Sequence, residues 1–208
     1  MSDYGTIQSR IADEIARSDL TNQVKLAIQS AIDFHERERF YFNEDTTTWS
    51  TVANQEYYGS ADNAEIPNVV EIDALKINAS GRTYPLQPRD FAYMDAVSST
   101  TTHTGDPVDY CYFRQRFRFY PIPSAARTVT LAYVKRLSTL SASVDTNAWM
   151  TDGEELVRAR AKGDLFLNVI RNPEEAALMK AIEREALSAL RAETTRRISV
   201  GRIRPTGS

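Results

Sequence analysis

The stretch Tyr110-Cys111-Tyr112-Phe113-Arg114-Gln115-Arg116-Phe117-Arg118-Phe119-Tyr120 admits two readings with different consequences for the fold. As one continuous strand it would set Cys111, Phe113, Phe117 and Phe119 on one face, because side chains alternate with a period of two. As a hairpin turning at Arg114-Gln115 it pairs Phe113 with Arg116, Tyr112 with Phe117 and Tyr110 with Phe119. That register gathers four aromatic rings on one face and leaves Arg116 and Arg118 on the other. The hairpin is favoured, although Arg-Gln lacks the glycine common in two-residue turns.

The surrounding sequence has the same β texture. From Thr46 to about Val134 it is rich in Thr, Val, Tyr and Phe, with turn residues every 8–12 positions, as in a small antiparallel β domain. Strands are predicted near Thr47–Val52, Glu56–Gly59, Val69–Ile77, Thr83–Gln87, Asp109–Phe113, Arg116–Tyr120 and Thr128–Val134. Arg89–Val97, with Phe91 and Met94 three apart, reads as a short helix inside this domain, and Ser98–Thr104, closed by Gly105, as a polar loop.

Helical texture lies on both sides. Ile7, Ile11 and Ile15 recur every four residues across Thr6–Arg17, and Ser18-Asp19 breaks the pattern. Thr21 can cap a second helix reaching about Phe40, in which Val24, Ala27, Ile28, Ala31, Ile32 and His35 share a face. After the β domain, Thr151 is a candidate cap, followed by Asp152, Glu154 and Glu155 where carboxylates suit the helix dipole. Leu156, Val157, Ala161, Leu165, Phe166, Val169 and Ile170 continue an apolar stripe. Asn172-Pro173-Glu174-Glu175 then signals a last helix with Leu178, Ala181, Ile182, Leu187 and Leu190 on its buried side. The pattern fails around Ile198 to Gly201.

The predicted class is therefore α+β. A four-helix bundle-like core, two helices N-terminal and two C-terminal, carries an inserted small antiparallel β domain and an extended basic C-terminal tail. The predicted divisions are 1–44 for the helical hairpin, 45–148 for the β domain, 149–191 for the second helical pair and 192–208 for the tail.

Composition excludes more than it specifies. In 208 residues, 42% apolar and 25% charged, nothing suggests a collagen-like, disulfide-stapled or globally disordered chain. Cys111 is the single cysteine, and Met1-Ser2-Asp3-Tyr4 lacks the basic start and apolar run of a secretory signal, so the expectation is a protein made in a reducing cytoplasm. No apolar run is long enough for a bilayer. The net charge of −3 divides unevenly: Arg191, Arg196, Arg197, Arg202 and Arg204 against Glu193 make the last eighteen residues +4, leaving −7 for residues 1–190. A basic arm on an acidic body meets another macromolecule or is a solvated end, and the residues alone leave both open.

Chemistry is sparse. His35 continues a helix stripe, His103 sits in the Ser/Thr loop, and neither stands at metal-ligand spacing. Cys111 reads as a small strand residue rather than a nucleophile. The eight glycines form no phosphate-binding loop. Glu154-Glu155 and Glu174-Glu175 fall in first helical turns, where the helix dipole explains them. Arg114, Arg116 and Arg118 among aromatics could resemble a single-strand nucleic-acid platform, but the exposed face of a hairpin with core aromatics explains them as well. No catalytic residue, cofactor or metal is predicted.

Several segments together resemble the head–tail adaptor proteins of tailed bacteriophages. They are the start Ile7, Ile11-Ala12, Ile15, Arg17 and Asp19-Leu20; the helix ending Phe34, Phe40-Tyr41-Phe42-Asn43-Glu44; and Asp106-Pro107-Val108-Asp109-Tyr110 before the hairpin. Phe119-Tyr120-Pro121-Ile122-Pro123 with the strand Val129–Tyr133, the acidic helix start Trp149–Glu155 and the Arg-rich end complete them, so the likeness covers nearly the whole chain. The resemblance implies a virion protein of the neck, made in the host cytoplasm. It would form a ring of identical copies, usually dodecameric, under the portal protein, joining it to a tail, nozzle or tail-tube protein while DNA passes through the lumen. It also implies a portal-docking role for the tail residues Arg196, Arg197, Arg202, Ile203 and Arg204. Two other readings stay open: a DNA-binding or packaging-associated protein using the basic arm on phosphates, and a hydrolase gathering His35 or His103 with carboxylates.

Overall fold

The computed structural model describes residues 2–100 and 103–199 of the chain, which divides into two compact units. One comprises the residues up to Asn43 together with those from Leu137 onward; the other is Glu44–Arg136. The described residues are mixed α+β, with six α-helices among them.

The β unit grows outward from the hairpin. Strands β7 (Asp109–Phe113) and β8 (Arg116–Tyr120) pair antiparallel in the predicted register, Phe113 opposite Arg116, Tyr112 opposite Phe117 and Tyr110 opposite Phe119. Arg114 and Gln115 both have positive φ, 51° and 57°, the left-handed conformation that lets a two-residue turn match the strand twist. Neither side chain favours it. Gln115→Gly should therefore stabilise the β unit by about 1 kcal/mol in urea unfolding, and an unchanged midpoint would contradict this account of the turn.

Around the hairpin, β2 (Tyr57–Tyr58) lies antiparallel to β8, and β5 (Gln87–Pro88) lies parallel to β7, giving the order β2-β8-β7-β5. A second sheet, all antiparallel, has the order β1 (Glu44–Ser50), β10 (Thr128–Lys135), β3 (Val69–Ala79), β4 (Arg82–Pro85). Two-residue strands β6 (Thr104–Gly105) and β9 (Ile122–Pro123) pair parallel. The sheets share one core. Trp49, Leu75, Ile77, Val129, Leu131 and Tyr133 from the second sheet meet Tyr58, Tyr110, Phe117 and Phe119 from the first, and Ile66 and Leu86 join them. The Trp49 ring lies 5.5 Å from that of Phe117 and 6.4 Å from that of Phe119. Helix α3 (Phe91–Thr100) follows β5.

In the helical unit, Asp3 caps α1 (Tyr4–Glu14) by accepting the Thr6 N–H at 2.7 Å, and Ile7, Ile11 and Ile15 are all buried. Helix α2 (Thr21–His35) buries its predicted stripe but stops five residues before the expected end. The chain turns there because the Asn43 carboxamide accepts the Phe40 N–H at 2.8 Å and donates to the Glu38 carbonyl at 2.8 Å. Phe40 is fully buried all the same.

The predicted cap at Thr151 is corrected. Asn147 caps a short helix α4 (Ala148–Thr151), accepting the Trp149 N–H at 2.9 Å, and α5 (Glu154–Leu165) begins after Gly153. A π-helical turn, Phe166–Ile170, follows α5 and ends at Arg171, whose φ is 60°. Asn172 then opens α6 (Pro173–Ser199), its carboxamide accepting the Glu175 N–H at 3.3 Å. Tyr4, Ile28, Trp149, Met150, Leu156, Leu165 and Ala186 belong to one core drawn from α1, α2, α4, α5 and α6, and Leu140 from the 137–148 stretch packs into it.

Helix α6 also corrects the tail. Residues 192–199, expected to be extended, are its last two turns. Thr194 is buried, donates to the Leu190 carbonyl at 2.8 Å and accepts the Tyr41 N–H at 3.1 Å. Glu193 pairs with Arg196 and, at 2.7 Å, with Arg197, three and four residues on, a spacing that supports a helix.

Candidate functional site

The five predicted docking residues divide. Arg196 and Arg197 stand on the last turn of α6, and Arg197 places its guanidinium 3.6 Å from the centre of the Tyr41 ring. Hydrogen bonds from Arg196 and Arg197 hold the Glu193 carboxyl below its ordinary range. The Tyr41 hydroxyl donates to Asp152 at 2.7 Å and is pushed up to about 12, by burial first and by that bond second. Arg202, Ile203 and Arg204 lie outside the described residues.

The two histidines fall in different units. His103 is exposed in the β unit, whereas His35 is fully buried in the helical unit. His35 Nε2 is 3.1 Å from Glu183 Oε1, which also accepts from Arg160 Nη1 at 3.2 Å. His35 Nδ1 has no partner, so a protonated ring would leave a buried N–H unsatisfied. Burial lowers the His35 pKa below its ordinary 6.5, outweighing the pull of Glu183. The unfolded chain then binds this proton first. The His35 contribution to stability is complete above 6.5 and lost as pH falls below it. Wild-type protein should thus be less stable to urea at pH 5 than at pH 7, and His35→Gln should shrink that difference; an unchanged difference would exclude His35 as its source.

Cys111 is buried, and burial pushes its thiol pKa up, away from nucleophile chemistry. Among the described residues no three His, Cys, Asp or Glu side chains gather as metal ligands, and no helix is long and apolar enough to cross a membrane.

What the molecule does present is surface. On the β unit, Arg116 is exposed as expected, but Arg118 is not. It is 5% exposed, with its guanidinium 5.3 Å from the Tyr57 ring, 5.6 Å from the Phe91 ring and its Nε 2.5 Å from Glu56. Phe91 begins α3, so the residues that cover Arg118 come from elsewhere in the chain. Their position was not legible from the hairpin alone. On the helical unit Leu26, Phe34, Leu167 and Leu178 are each more than half exposed, and the Phe34 ring lies 3.9 Å from the Arg160 guanidinium.

Exposed apolar side chains on the helical unit, and the exposed ring and cations of the hairpin tip, are the kind of surface that meets a partner. The model of the SU10 adaptor protein family matches residues 2–206, and the chain belongs to that family. It is a phage adaptor family, which implies a structural role in the virion among other phage head and tail proteins. No curated protein matches the chain.

Proposed function

We propose that the chain is a structural head–tail adaptor of the virion neck, made in the host cytoplasm. It forms a homo-oligomeric ring, a dodecamer by the family resemblance, beneath the portal, connecting capsid to tail while DNA passes through the lumen. The observation that carries this reading is the family match across both units, from residue 2 to residue 206.

The helical unit, read as a four-helix bundle of α1, α2, α5 and α6, supplies ring closure. A closed ring needs two different complementary faces on every copy, and the exposed Leu26, Phe34, Leu167 and Leu178 supply apolar area for such contacts. The −7 charge of residues 1–190 suits a lumen through which DNA moves without binding. Arg196, Arg197, Arg202, Ile203 and Arg204 dock on acidic groups of the portal, and the β unit meets a tail, nozzle or tail-tube protein.

The docking role is tested by truncation after Ser199, which spares Thr194 and the Glu193 pairs within α6. The shortened chain should keep its circular dichroism spectrum and lose capture by immobilised portal protein. Undiminished capture would sink the role of Arg202, Ile203 and Arg204. Retention on duplex DNA that falls steeply with salt, with no portal binding, would favour a packaging-associated DNA binder.

A further inference from the structure

The outer face of the β2-β8-β7-β5 sheet carries rings and cations that the core does not use. Phe113, at the hairpin tip, is 47% exposed, and its ring lies 4.6 Å from that of Phe91. With Tyr57, Arg114 and Arg116 these two rings line an open hollow of about 460 Å³. The Arg118 guanidinium lies against Tyr57 and Phe91, and its Nη1 has no hydrogen-bond acceptor, with Asp95 Oδ1 at 3.6 Å.

The cations define the partner. Arg114 and Arg116 are exposed, and no carboxylate among the described residues pairs with either. Arg114 instead places its guanidinium 5.6 Å from the Phe113 ring. Three half-exposed rings beside two uncompensated guanidinium groups suit an apolar anchor flanked by carboxylates, because guanidinium forks bind carboxylates in pairs of hydrogen bonds. Nucleic acid fits less well. A single strand needs cations along its track, and here Arg114 and Arg116 alone are left without a carboxylate partner among the described residues beside the rings.

We propose that this hollow is a docking site for an acidic peptide segment of a different protein, one bearing an aromatic or large aliphatic residue between carboxylates. That the segment comes from a tail component rests on the adaptor reading above. Phe91 and Phe113 hold the apolar side chain, and Arg114 and Arg116 hold its acidic neighbours.

The test is a titration of the isotope-labelled full chain, followed by amide NMR shifts, with three probes: acetyl-Asp-Asp-Phe-Asp-Asp-amide, its counterpart with Lys in place of Asp, and decathymidylate. The acidic peptide should shift Tyr57, Phe91, Phe113 and their neighbours, and the Lys peptide should not. Arg114→Glu with Arg116→Glu should weaken acidic-peptide binding about ten-fold or more and transfer the preference to the Lys peptide. Phe113→Ala, which keeps both cations, should weaken it as well. Equal response to the two peptides, no preference reversal in the charge variant, or tighter binding of decathymidylate at these residues would overturn the proposal. Light scattering of the charge variant with portal protein keeps the two readings apart. Rings without peptide binding by the wild type refute the hollow alone, and peptide binding without rings refutes the adaptor reading alone.

Discussion

Trp149→Ala should destabilise the helical unit by about 3–5 kcal/mol, the range for removing a large buried aromatic. Trp149 is 1% exposed, with its ring 5.7 Å from that of Phe40 and 5.2 Å from that of Phe42. It joins the 36–43 turn to α4 and the start of α5. The fit is close on its other side too: a methyl group on Gly153 would stand 2.7 Å from Trp149 Cε3, so Gly153→Ala should also destabilise, by about 1–3 kcal/mol through overpacking. Urea unfolding followed by far-UV circular dichroism measures both. A loss below about 1 kcal/mol for Trp149→Ala would mean that the ring is not the keystone its burial implies.

Phe117→Ala should cost the β unit a similar amount, about 3–5 kcal/mol. Phe117 is fully buried, 4.9 Å from the Tyr112 ring, 6.0 Å from Tyr110 and 5.5 Å from Trp49 across the two sheets. Its removal opens a cavity where both sheets meet, walled by rigid rings that cannot collapse into it. The chain has two tryptophans, one in each unit, so Trp149→Phe leaves Trp49 as the only indole and a reporter of the β unit. In that background Phe117→Ala should lower the urea midpoint of the Trp49 emission change, and an unmoved midpoint would contradict the assignment of Phe117 to the shared core.

The hairpin was legible because its register alone puts Tyr110, Tyr112, Phe117 and Phe119 on one side, and a slip by one residue would expose them. Asn172-Pro173-Glu174-Glu175 was legible for the same kind of reason: cap, fixed φ and first-turn acids agree at one place. Where the sequence misled, side-chain hydrogen bonds and packing invisible to periodicity decided. The second helix was read as reaching Phe40, yet it ends at His35, and Phe40 is buried outside it in a turn fixed by the Asn43 carboxamide. The arginine-rich end suggested an extended tail, but Glu193 spaced for Arg196 and Arg197, and Thr194 held by Tyr41, keep residues 192–199 helical. Arg118 shows the same limit on the candidate site. Alternation put it on the outer face, and only the placement of Phe91 and Tyr57 over it turns that face into a lined hollow.

The most direct test of the adaptor account is the particle mass of the full-length protein by multi-angle light scattering, alone and after mixing with the portal protein of the same phage. The account predicts a complex in which many copies of the chain join one portal, visible as a ring by electron microscopy. A chain that never associates with the portal, at any ratio, would contradict it.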